Sequence, residues 1–115
     1  MLSQVSTRPS DPSIVVETED LTLVWNYVLG GAITFGQFAN VTDGSVPIAS
    51  RTAQDESLSV EQPYQDRFTA DITTTQARLR IREVQVSDQG KYQFFLSASN
   101  SANIQEEVEV IVHCK

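Results

Sequence analysis

The sequence is short of most of what chemistry requires. Its 115 residues hold one cysteine, one histidine and one tryptophan, and eight Lys and Arg stand against 15 Asp and Glu, a net charge of −7. A lone cysteine excludes an intramolecular disulfide, so Cys114 either pairs outside the domain or stays a free thiol. The shortage of bases argues against a nucleic-acid partner, because phosphate binding needs clustered Lys and Arg. An anionic membrane surface is disfavoured for the same reason. The acidity reads either as solubility or as a patch aimed at a basic partner. No apolar run approaches the roughly 18 to 20 residues that span a bilayer, and MLSQVSTRPS lacks a signal peptide's apolar stretch. Direct membrane insertion by this segment is therefore not expected. With only five glycines and four prolines and 40% hydrophobic residues, the chain is not disordered. Its length fits one domain, residues 1–115, since two cores would leave each half too small to stabilise itself.

Catalytic groups are equally sparse. His113 and Cys114 adjoin on a strand pattern, and neighbours on a strand point to opposite faces, so they make a poor base and nucleophile. CxxC, HExxH, phosphate-cradling glycine loops and EF-hand spacing are all missing. Glu106, Glu107 and Glu109 form the densest acidic run, which reads as a solvated edge more readily than as a cation site. Neither enzyme activity nor a metal or cofactor is expected.

What is present is β-pattern. Leu21, Leu23 and Trp25 alternate with Thr22, Val24 and Asn26; Ile33, Phe35 and Gln37 follow the Gly30-Gly31 break. Leu79 and Ile81 alternate with Arg78, Arg80 and Arg82, which read as a solvated strand face, with a binding patch as the alternative. Val108, Val110 and Val112 mark a long last strand. Turns fall at Asp43-Gly44, Pro47, Pro63 and Asp88-Gln89-Gly90. About nine short strands at this spacing predict an all-β, two-sheet sandwich, and Pro9 and Pro12 predict a first strand that breaks and switches sheets.

The stretch RFTADITTTQARLRIREVQVSDQGKYQF, residues 67 to 94, closely resembles the D-to-F strand region of V-set immunoglobulin domains. The resemblance implies that Arg67 pairs with Asp88 across the base of the sandwich. It also implies that Tyr92 is a tyrosine corner, its ring buried and its hydroxyl bonded to nearby backbone, and that Gly90 tolerates little side chain. Where the family carries its two core cysteines this chain has Trp25 and Phe94, and Phe35 holds the place of the C-strand tryptophan. The expected core is therefore an aromatic cluster of Trp25, Phe35 and Phe94, with no intradomain disulfide. The lost bond costs about 2–5 kcal/mol in a small domain, and each buried aromatic recovers roughly 1.5–3 kcal/mol. The separation of Trp25 and Phe94 leaves room for C′ and C″ strands, read as QFANVT (37–42) and VPIASRT (46–52). The last strand lacks the FGxG bulge that antigen-receptor variable domains use to pair.

V-set domains usually bind through the sheet of strands G, F, C, C′ and C″. With Phe35 and Phe94 inward, alternation turns Gly36, Phe38, Gln93 and Phe95 outward as candidate contact residues. Asn40-Val41-Thr42 is a sequon for N-glycosylation, expected on the same face as Phe38. The resemblance implies an extracellular recognition or adhesion module, the ectodomain of a single-pass plasma-membrane receptor. The chain is also similar to the first domain of allorecognition receptors of colonial hydroids, V-like domains without the two core cysteines. That likeness implies homophilic binding to the same domain on an opposing cell. The alternatives are a heterophilic receptor domain, a spacer without ligand, and a V-like domain binding a soluble ligand or glycan in a concave site between its BC, C′C″ and FG loops.

Overall fold

The computed structural model describes residues 4–42, 44, 46–53, 58–99 and 103–114. Ten strands lie among them: β1 (Gln4–Thr7), β2 (Ser13–Val16), β3 (Leu21–Val28), β4 (Ile33–Asn40), β5 (Val46–Thr52), β6 (Ser59–Val60), β7 (Phe68–Ile72), β8 (Gln76–Ile81), β9 (Gly90–Ala98) and β10 (Ile104–His113). They form a four-stranded sheet, β1-β3-β8-β7, and a six-stranded sheet, β2-β10-β9-β4-β5-β6. All pairings are antiparallel except β2 with β10, where Ser13 to Val16 run alongside Val110 to His113. Pro9 and Pro12, the latter after a cis peptide bond, lie where the chain leaves the four-stranded sheet for the other, as predicted for an interrupted first strand.

Each long strand buries one side, as a sheet covered on one face requires. Leu23, Trp25 and Tyr27 of β3, Ala77, Leu79 and Ile81 of β8, and Tyr92, Phe94 and Leu96 of β9 meet Val108, Val110 and Val112 of β10 in a single core cluster. Trp25 stacks on Phe94 with centroids 5.3 Å apart, and Tyr27 lies 5.9 Å from Phe94 on the same cluster. Cys114, the chain's one cysteine, is exposed beyond β10, so no disulfide joins the sheets.

The third member of the aromatic cluster is Phe38 and not Phe35. Phe38 is 1% exposed, 5.8 Å from Trp25 and 5.3 Å from Phe94. The cause is an irregularity in the β4–β9 ladder between Ile33 and Phe35. One extra residue in a ladder reverses the face of everything after it, so Ile33, Gly36 and Phe38 point inward while Phe35 and Gln37 are half-exposed. Gly36, expected outward, is buried, and a Cβ there would lie 2.9 Å from Ile72 Cδ1. Its missing side chain lets Ile72 of the opposite sheet sit against β4.

The strands beyond β4 are displaced by one from the expectation. Gln37 to Asn40 complete β4, residues 46–52 form β5 in the C′ position, and the two-residue β6 is C″. Asn40 accordingly ends the C strand and does not lie on C′.

At the other end of the sandwich, Gly90 has φ +152°, a conformation L side chains rarely adopt, and a Cβ would fall 2.0 Å from Thr42 Oγ1. That hydroxyl accepts the Lys91 N–H at 2.9 Å. Gly90→Ala is thus expected to break the Thr42 contact and destabilise by more than about 1 kcal/mol; a urea midpoint matching the parent's is the result that would contradict this.

Candidate functional site

The base of the sandwich is built by the E–F turn. Arg67 Nη1 and Nη2 donate to Asp88 Oδ2 and Oδ1 at 2.6 and 2.9 Å, the planar two-point geometry that suits guanidinium to carboxylate. Asp88, 6% exposed, also accepts the Gln85 N–H at 2.8 Å. The hydrogen bond to Asp88 holds the Arg67 guanidinium above its ordinary pKa. Tyr92 donates its hydroxyl to the Asp88 carbonyl at 2.5 Å, and burial pushes its pKa well up, so the group stays a neutral donor. These contacts fix the turn and with it the start of β9.

β9 then carries the outer face of the six-stranded sheet. Gln93, Phe95 and Ser97 stand out on it, half-exposed, while Tyr92, Phe94 and Leu96 fill the core. Across the ladder, Gln37 of β4 and Gln105 of β10 lie opposite Phe95, Phe35 opposite Ser97, and Glu107 opposite Gln93. The Phe35 and Phe95 rings meet at 6.2 Å with 51° between their planes. Thr34 Oγ1 donates to the Ser97 carbonyl at 3.0 Å, fixing this end of the β4–β9 pair. The result is a pair of half-exposed aromatic rings bordered by Gln37, Gln93, Gln105, Ser97 and Thr34, with the exposed carboxylate of Glu107 next along β10 from Gln105 on the same face. Of the expected contact residues, Gln93 and Phe95 lie on this face, whereas Gly36 and Phe38 lie under it. Phe35 and Gln37, which the sequence pattern assigned to the core face, take their places.

The far end of the same face carries an apolar strip that the sequence pattern did not single out. Ile14, 60% exposed, pairs with half-buried Ile111, and Val16, 38% exposed, pairs with exposed His113. The signal existed, since Ile14 and Val16 alternate with buried Ser13 and Val15, but which way they face depends on parallel pairing with β10.

The remaining candidates stay apart. Arg78, Arg80 and Arg82 are exposed on or beside the four-stranded sheet, bonding Gln76, the Asp20 carboxylate at 2.6 Å and the Asp66 carbonyl in turn. The Arg80 hydrogen bond holds the Asp20 carboxyl below its usual range. Glu106 receives Arg8 at 2.7 Å, while Glu107 and Glu109 are exposed. Among the described residues no group of three His, Cys, Asp or Glu could hold a metal ion. A groove of about 430 Å³ lies where β1 gives way to β2, between Pro9, Ile14, Leu21 and Val24. The expected ligand hollow between the BC, C′C″ and FG loops falls partly on residues 54–57 and 100–102, outside the described residues. No helix among the described residues is long and apolar enough to cross a membrane.

Strand order, the switch of the first strand between sheets and the tyrosine corner together define a two-sheet immunoglobulin-like sandwich of the V-set type. The solved structure of murine CRIg is similar to it, with a TM-score of 0.72 over 98% of each chain at 13% identity. No family model matches the chain, and no curated protein sequence does. Some 1786 chains of solved structures share the architecture, so the likeness identifies a fold and not a ligand.

Proposed function

We propose that the chain is an extracellular recognition module that binds a second copy of itself on an opposing cell through the outer face of its six-stranded sheet. The observation that carries this reading is the half-exposed Phe35–Phe95 pair, whose directly opposed neighbours Gln37, Gln105 and Ser97 are uncharged. Aromatic side chains ringed by polar, uncharged groups make the centre of a protein interface, where they supply area and the ring of neighbours excludes water. The resemblance to the first domain of hydroid allorecognition receptors supports self-recognition in particular, and the immunoglobulin-like fold supports a place at the cell surface in a single-pass receptor.

Sedimentation equilibrium tests the reading. Phe95→Asp or Phe35→Asp is expected to weaken self-association by about 30-fold or more, the effect of removing a central aromatic anchor, while each variant keeps its parent's thermal midpoint within a few degrees. A chain that is monomeric at millimolar concentration, or one whose association ignores both substitutions, rules out homophilic docking through this face. A monomer that still binds another surface protein through Phe95 is the heterophilic outcome.

A further inference from the structure

The sequon at the end of β4 lies where its two outer side chains are both used by the fold. The Thr42 N–H donates to Asn40 Oδ1 at 3.0 Å, a side chain bonding its own backbone two residues on. Thr42 Oγ1 accepts the Lys91 N–H at 2.9 Å, in the space that Gly90 leaves open. Asn40 itself is half-buried. Across the ladder Asn40 faces Tyr92, and residues directly opposite on paired strands share a side of the sheet. Tyr92 points into the core, so Asn40 leaves the strand on the inner side, at the last residue of β4, beside half-buried Val41 and exposed Thr42. It also sits five residues along β4 from Phe35, about 17 Å at strand spacing.

We propose that Asn40 carries an N-linked glycan that leaves the domain through the base of the sandwich, so that the Phe35–Phe95 face stays uncovered. The attachment rests on the extracellular reading above. In the transfer, Asn40 Nδ2 attacks C1 of a sugar carried on a lipid pyrophosphate. The Nδ2–C1 bond forms, the C1–O bond breaks, the pyrophosphate leaves with that electron pair, and one Nδ2 proton passes to a base of the membrane transferase. The primary amide becomes a secondary amide and stays neutral, so Oδ1 keeps its acceptor role toward Thr42 and the turn survives modification. Thr42 thus serves the transferase in the unfolded chain and Lys91 in the folded one.

The test is secretion of the full chain from eukaryotic cells behind a cleavable leader, followed by intact mass before and after an amidase that releases N-linked glycans. A glycan-sized mass is expected on the parent and on Thr42→Ser, and on neither Asn40→Gln nor Thr42→Ala. An unshifted parent overturns the proposal. The direction is read separately, by labelling Phe95→Cys and Gln37→Cys in a Cys114→Ser background with a bulky maleimide. Equal rates before and after glycan release are expected; a rise of fivefold or more on release places the glycan over the face and overturns its exit through the base. Neither readout needs self-association, so a monomeric chain refutes the homophilic reading and leaves these results standing.

Discussion

Phe38→Ala is expected to destabilise the domain by about 3–5 kcal/mol, the cost of emptying a buried aromatic site that cannot collapse. Phe35→Ala, three residues away on the same strand, is expected to cost less than about 1 kcal/mol, as a half-exposed substitution does. The contrast follows from placement. Phe38 is 1% exposed and touches both Trp25 and Phe94, whereas Phe35 meets only Phe95 among the paired rings, on the outer face. Urea unfolding of the two variants decides it, provided the slope stays constant so that midpoints report stability. The reverse order, a large loss for Phe35→Ala and a small one for Phe38→Ala, would mean that β4 runs as an uninterrupted strand with Phe35 in the core. The same two variants separate fold from function, because Phe35→Ala should weaken self-association at near-parental stability.

Asp88→Ala is the second large effect, about 3 kcal/mol. Removing one partner of an ion pair taken largely out of water leaves the other charge uncompensated. Here the side chains are 27% and 7% exposed for Arg67 and Asp88, so the lower end of the usual range applies. The same change also strands the Gln85 N–H. Asp88→Asn, which keeps an acceptor but loses the charge, should lie between the parent and Asp88→Ala. A double-mutant cycle with Arg67→Ala checks the origin, since a coupling energy below about 0.5 kcal/mol would show the two side chains to be independent. The Tyr92 bond to the Asp88 carbonyl uses backbone, so it should persist in the variant and keep the turn recognisable in hydrogen exchange.

These two predictions also mark where the sequence was legible. The spacing from Asp88 through Gly90 to Tyr92 is local, and its bonds close within a few residues, so the residue types alone carry the turn. β8, β9 and β10 follow simple alternation because the ladders joining β8 to β3 and β9 to β10 have no register shift. β4 defeats alternation for a physical reason. Counting by two assigns faces only along an unbroken ladder, and the irregularity after Ile33 is set by the pairing with β9, not by β4's own residues. A second register shift, between Phe38 and Ala39 toward β5, lies in the stretch where C and C′ were read one strand out of step. The outer face was half legible as a result. Residues on β9 were placed, those on β4 were interchanged with their buried neighbours, and the Ile14 strip needed knowledge of which strand lies beside β2.

The parallel pairing of β2 with β10 bears on how the domain responds to load. Tension applied along the chain enters this pair at Ser13 and leaves it at His113. Because these strands run the same way, that tension draws β2 and β10 past each other lengthwise and loads the pairs from Ser13–Val110 to Val16–His113 at once. An antiparallel pair pulled from one end opens bond by bond, each failing at low force. With no covalent link between the sheets, this short shear joint and the core beneath it set the force at which the domain gives way.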